Sequence, residues 1–116
     1  MELNKDLRFK TINFMIGLLK EDIDVNSNTI KIELQSDIYY QISTELQKGK
    51  IIRILIDHEL MNIVKERQVV SYNEITDNYI VEFFVIRGVE GTEPTQHKAS
   101  SNTVIRQVLT SELFET

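Results

Sequence analysis

No cysteine occurs anywhere in the chain, which removes thiol catalysis, cysteine-based zinc sites and disulfides together. The absence agrees with a reducing compartment. Histidine occurs twice, as His58 and His97. The segment beginning at His58, HELMN, starts like the zinc-protease helix motif, but Asn62 stands where the second histidine belongs, so the ligand geometry fails. No serine sits in a Gly-x-Ser-x-Gly elbow. Glycine is scarce: Gly88 and Gly91 lie close together, yet no Lys-Ser or Lys-Thr follows them and no phosphate cradle is formed. No apolar run approaches the roughly 18 residues needed to span a bilayer. The start of the chain, Met1 to Asp6, mixes both charges and lacks an apolar leader core. A cytoplasmic protein is therefore expected, with no metal and no cofactor.

At 116 residues the chain has the length of one domain, residues 1–116, large enough for a core without staples. Apolar residues make up 41% and charged residues 27%, values of an ordinary folded protein rather than a disordered one. The net charge of −5 is spread along the chain. That disfavours binding to phosphate backbones, which needs clustered Lys and Arg.

The stretch that organises the rest is Tyr79 to Gly88, YIVEFFVIRG. Tyr79, Val81, Phe83 and Val85 fall on one face, and Ile80, Phe84 and Ile86 on the other, the pattern of a central strand covered on both sides. Thr29–Gln35 alternates cleanly and predicts a strand with one wet face. Lys50–Ile56 and Gln68–Asn73 also read as strands. The short polar link before Tyr79 predicts an antiparallel hairpin.

Helices are expected at both ends. From Asp6 to Lys20, Leu7, Thr11, Phe14, Met15 and Leu18 form a stripe that Phe9, Ile12, Ile16 and Leu19 widen. At the other end Val104, Ile105, Val108, Leu109 and Leu113 recur at helical spacing. Residues 37–48 admit two readings. As a strand, Ile38, Tyr40, Ile42 and Thr44 oppose Tyr39, Gln41, Ser43 and Glu45. As a helix, Ile38, Ile42 and Leu46 make the stripe and Gly49 takes the position after the C-cap. The β-branched and aromatic run tips the reading toward strand. Residues 57–67 predict a short helix started by Asp57, the competing reading being a strand that runs through to Leu60 and turns back near Asn62. The expected fold is a single α+β domain: an antiparallel sheet of four to five strands with N- and C-terminal helices packed on it.

Few residues point to chemistry. Glu82 stands alone as a carboxylate in the most apolar strand; burial would raise its pKa unless a cation such as Arg53 pairs with it, and the plainer expectation is that it faces solvent or an interface. His97 lies in the long polar segment 89–100 and reaches a site only if that segment folds back. That segment is expected to be either a flexible loop or a partner-contacting one. The leading functional expectation is a non-enzymatic protein-binding module, such as an inhibitor, an antitoxin-like factor or an assembly component. Its composition suits an accessory protein of a phage or mobile element. The contact residues singled out are Tyr39, Arg53, Glu93, His97 and Lys98, and a homodimer fits such a surface. The alternative is a nucleic-acid-binding regulator using Lys48, Lys50, Arg53, Lys65 and Arg67. A third reading is a small hydrolase built on His58 with Asp57 or Glu59.

Overall fold

The computed structural model describes residues 11–100 and 102–110. Within them lie six strands and a single helix: β1 (Thr11–Leu19), β2 (Thr29–Gln35), α1 (Ser36–Gln47), β3 (Ile52–Ile56), β4 (Glu59–Asn73), β5 (Asn78–Ile86) and β6 (Val104–Thr110). The strands close into an antiparallel barrel in the order β1-β2-β5-β4-β3-β6. β3, β4 and β5 follow one another as a meander, and β6 returns by the long 87–103 connection to lie beside β3. That is a Greek key. Closure removes most of the exposed edges that an open sheet would leave.

The expected α+β architecture with terminal helices is thus corrected. Residues 11–19 and 104–110 are strands that pair with each other, from Thr11 opposite Thr110 to Leu18 opposite Val104. Residues 1–10 and 111–116, which the helix readings also included, lie outside the described residues. The error has a physical source. Residues 11–19 are mostly apolar, and in 104–110 the apolar residues come as the pairs Val104–Ile105 and Val108–Leu109, so a helical stripe fits both segments and periodicity alone cannot separate helix from strand. The choice falls to long-range pairing. Gly17 records that pairing: a Cβ there would overlap the Glu33 carbonyl oxygen of β2 and come within 2.8 Å of Ile32 Cγ2. Gly17→Ala should push β1 away from β2 and cost about 1–3 kcal/mol, read as a lower urea midpoint.

The 37–48 region is a helix, not the strand. Ile42 is buried, and Ile38, Tyr39 and Leu46 pack against the core, the i, i+4 stripe at work. Its end decides the matter. Gly49 adopts φ 82; its N–H donates to the Leu46 carbonyl, and Lys50 N–H donates to that of Glu45. This Schellman closure satisfies the last carbonyls and needs a residue without a Cβ penalty. Residues 57–67, read as a helix, instead form a tight turn and the start of β4. Asp57 takes φ 54, and Ile56 pairs directly with Glu59.

The barrel interior is filled by side chains from alternate positions. Ile30, Ile32 and Leu34 come from β2, Ile52, Ile54 and Ile56 from β3, Met61 and Ile63 from β4, and Val81, Phe83 and Val85 from β5. Ile16, Leu19 and Ile105 complete it. Helix α1 leaves the end of β2 and re-enters at the start of β3, so it covers one mouth of the barrel. No helix among the described residues is long and apolar enough to cross a membrane.

β4 is the longest strand and runs past the barrel. Its pairing with β3 stops at Ile63, while its pairing with β5 continues to Asn73. Along this extension the register shifts between Ile63 and Lys65, between Glu66 and Gln68, and between Val69 and Ser71. A bulge every third residue replaces the normal alternation. Ile63, Glu66, Val69 and Tyr72 consequently pair with Val85, Phe83, Val81 and Tyr79 and share their face of the sheet.

Candidate functional site

Two features stand out, at opposite ends of the barrel. The first begins with strand alternation. Glu59 shares the inward face of Met61 and Ile63, and Arg87 follows Val85 by two positions. Two charges are thereby directed into the mouth opposite α1. Both are buried: the Arg87 and Glu59 side chains are 8% and 0% exposed. They meet as a bidentate pair, Arg87 Nε to Glu59 Oε2 at 2.7 Å and Nη2 to Oε1 at 2.9 Å. The remaining guanidinium donors go to carbonyls of Asp24 (2.6 Å), Ser27 (2.9 Å) and Thr95 (2.7 Å). Glu59 also accepts from the backbone N–H groups of Gly88 and Thr95, each at 3.0 Å.

His97 completes the cluster. Its Nε2 lies 2.8 Å from Glu59 Oε1 and its Nδ1 2.7 Å from Asp57 Oδ2. The 89–100 segment does fold back, held by a bridge in which Ile23 and His97 exchange backbone hydrogen bonds at 3.0 Å. Burial works to raise the Glu59 pKa, but hydrogen bonds from Arg87, His97 and Thr95 N–H outweigh it and hold the carboxyl at about 2.

Chemically this cluster is saturated. Thr95 Oγ1, His97 Nε2 and Asp57 superficially form a nucleophile–base–carboxylate series, with 3.3 Å between Oγ1 and Nε2. Nε2 is already engaged at shorter range by Glu59, so it does not stand free to take a proton from Thr95. Nor does the group suit a metal. Asp57 and Glu59 address opposite edges of the imidazole, and no set of three candidate ligands converges among the described residues. What the cluster does is tie the 20–28 and 87–103 connections to the barrel end. His58, the histidine of the hydrolase reading, is exposed in the β3–β4 turn; the histidine that meets both Asp57 and Glu59 is His97.

The second feature is the β4–β5 extension with α1 beneath it. All four tyrosines of the chain gather there. Tyr79 is the hub, with ring centroids 4.7 Å from Tyr39, 6.1 Å from Tyr40 and 4.6 Å from Tyr72. Their hydroxyls are fixed. Tyr39 donates to Glu66 at 3.0 Å, Tyr72 to Asp77 at 2.6 Å, and Tyr40 and Tyr79 bond each other at 3.1 Å. Ser36 Oγ donates to the same Asp77 at 2.6 Å, clamping the helix start to the hairpin turn. Burial and the Glu66 carboxylate push the Tyr39 hydroxyl up to about 12; for Tyr72 the Asp77 bond leads, again to about 12. The rings are amphipathic plates held in place by these hydrogen bonds.

The same region carries much of the exposed apolar surface. Val69, Val70, Tyr72 and Tyr40 are 41–56% exposed, and Ile75 at the turn is 94% exposed. The turn itself is well built, because Asn73 Oδ1 accepts from the N–H groups of Ile75 and Thr76, so Ile75 is held outward by an Asx turn.

The residues singled out from the sequence do not form one surface. Tyr39 belongs to the tyrosine cluster, half-buried. Arg53 donates to Asn62 at 3.2 Å and pairs with Glu90 at 3.4 Å. It does not meet Glu82. That carboxylate is buried, and Arg67 at 2.7 Å is its cation; burial raises its pKa, but the Arg67 contact prevails and lowers it. Glu93 and Lys98 are exposed on the far connection, Lys98 reaching Asp22 at 3.7 Å. His97 is buried at 1% exposure and presents no surface. Among the cations of the nucleic-acid reading, Lys48 and Lys50 both pair with Glu45, Arg53 with Glu90 and Arg67 with Glu82. Lys65 and Arg67 sit over the Phe84 ring, 5.6 and 5.8 Å from its centroid.

Sequence reasoning named Glu59 only as a partner of His58, and it missed the pairing with Arg87 and the convergence of the four tyrosines on Tyr79. The signal for Glu59 and Arg87 was a charge in phase with Met61 and Ile63, and another in phase with Val85. No family model, curated protein or solved structure matches the chain.

Proposed function

We propose that the chain is a non-enzymatic binding module that docks another protein through the β4–β5 extension and the start of α1. The observation that carries this reading is the concentration of exposed apolar groups there, capped by Ile75 at 94% exposure on an ordered turn. The barrel core is complete without them, and exposed apolar groups gathered in one region of a folded protein mark an interaction site. Tyrosine suits such a surface because it gives large contact area at low entropy cost. The saturated Glu59–Arg87–His97 cluster supports the non-enzymatic part, since it leaves no unengaged base beside a nucleophile. The pairing of four of the five named cations with carboxylates supports a protein rather than a nucleic-acid partner.

The test is site-specific photo-crosslinking in cells of the native host. A photoreactive residue at position 75 should give one protein adduct. The same residue at Val25, exposed at the opposite end, should give none. Ile75→Asp in a pull-down should remove that same protein without lowering the melting temperature. Equal adducts from both positions, or recovery that disappears on nuclease treatment, would replace this reading with a different surface or with nucleic acid.

A further inference from the structure

We infer that the tyrosine face takes a lysine- or arginine-bearing apolar segment of its partner, the cation lying over the exposed rings and among the carboxylates that surround them. This rests on the binding-module reading and names the chemistry of the segment bound.

Charge is one support. No Lys or Arg occurs from Gln68 through Ile86, or from Glu33 through Gln47. Within those stretches and beside them stand Asp37, Glu66, Glu74 and Asp77, on the helix start, the β4 strand and the turn. Asp37 and Glu74 form no salt bridge among the described residues. The cations that border these stretches are engaged elsewhere: Lys31 pairs with Glu21, Lys48 with Glu45, Arg87 with Glu59 and Arg67 with Glu82, while Lys65 lies over Phe84. Among the described residues this leaves an aromatic and acidic surface whose neighbouring cations are already engaged, complementary to a positive, partly apolar one.

Ring chemistry is the second support. A cation within about 6 Å of a tyrosine centroid is attracted by the negative face of the ring. Tyr40 and Tyr72 keep roughly half their surface open, and their hydroxyls are fixed by hydrogen bonds to Tyr79 and Asp77. The rings are therefore already in place before anything binds, which lowers the ordering cost. Backbone geometry then restricts the mode of binding. Beyond Ile63 one edge of β4 pairs with no strand among the described residues, and its three bulges interrupt the regular row of donors and acceptors that an added strand requires. Contact is through side chains. A second copy of this chain is a poor occupant, because two-fold pairing would set the same carboxylates against each other.

The experiment is an amide chemical-shift titration of the full chain with three ten-residue amidated peptides of alternating leucine. The second residue type is arginine, glutamine or glutamate. The arginine peptide should shift residues 36–41 and 66–79 saturably. The glutamine peptide should bind the same residues at least tenfold more weakly, and the glutamate peptide not at all. Asp37→Asn with Glu74→Gln should weaken the arginine peptide about tenfold in 50 mM salt, a difference that shrinks in 1 M salt as screening shortens to about 3 Å. Tyr40→Leu, which keeps apolar area and removes the ring, should weaken it as well. Equal binding of the arginine and glutamine peptides overturns the cation inference while leaving the docking surface standing. Shifts outside the two segments, or none at millimolar peptide, overturn it too, and the crosslink from position 75 then judges the binding-module reading separately.

Discussion

Arg87→Ala is expected to cost about 3–5 kcal/mol of folding stability, the range for removing one partner of a buried ion pair. The substitution strands Glu59, whose side chain is fully buried, and leaves the carbonyls of Asp24, Ser27 and Thr95 without the guanidinium that joins them. Chemical denaturation at neutral pH measures the loss. Amide exchange should quicken in 20–28 and 87–103, because the guanidinium joins carbonyls of both connections to Glu59 of the barrel.

The effect should depend on pH in a definite direction. Glu59 has its carboxyl held at about 2 in the folded protein against an ordinary value of 4.5. A depressed folded pKa contributes stability that is fully present above the unfolded value and is lost as pH falls through the folded one. The wild-type protein should therefore lose on the order of 3 kcal/mol between about pH 4.5 and pH 2 from this group alone. In Arg87→Ala the folded Glu59 pKa rises, so the acid limb is shallower and the two stability curves converge as pH falls. A stability difference that stays constant from pH 7 to pH 2.5 would show that the pair contributes little beyond packing.

Phe83→Ala is the second large effect, about 3–5 kcal/mol. Phe83 is fully buried at the middle of β5, opposite Ile30 of β2 and Glu66 of β4. It is among the largest side chains of an interior that side chains alone must fill. Strands bonded on both sides around the barrel collapse poorly into a void, which places the expected cost high in the usual range. The urea midpoint should drop with an unchanged slope. Phe83→Leu, which keeps much of the volume, should cost markedly less. Near-equal losses from both substitutions would mean that ring shape rather than volume holds the core.

Much of the central sheet was legible in the residues. The β5 spine, the clean alternation of β2 and the short antiparallel link between β4 and β5 are local patterns, and local patterns survive into the fold when one face is buried and the other wet. The extension of β4 was less legible because its bulges convert a period of two into a period of three, so that QVVSYN shows no alternation although Val69 and Tyr72 share a face. Helix α1 was readable only by weighing Gly49 against the β-branched run before it. Capping geometry prevailed, because a closed Schellman turn satisfies carbonyls that a strand reading would have had to pair elsewhere.

The candidate sites were less visible still, for the reason that their members are far apart in the chain. Glu59 meets Arg87 and His97, and Tyr39 meets Tyr79, across separations that no local period encodes. Composition and alternation by themselves determined a cysteine-free chain of one domain's length with a strand-rich centre and no recognisable catalytic motif. Tertiary structure alone decided that both apolar end segments are strands, that the sheet closes, and that the charged pair lies inside one mouth while the tyrosines roof the helix at the other. The physical reason is hydrogen-bond closure. An apolar segment is indifferent between helix and strand until a partner edge is present, and here β1 and β6 each supply the edge that the other needs.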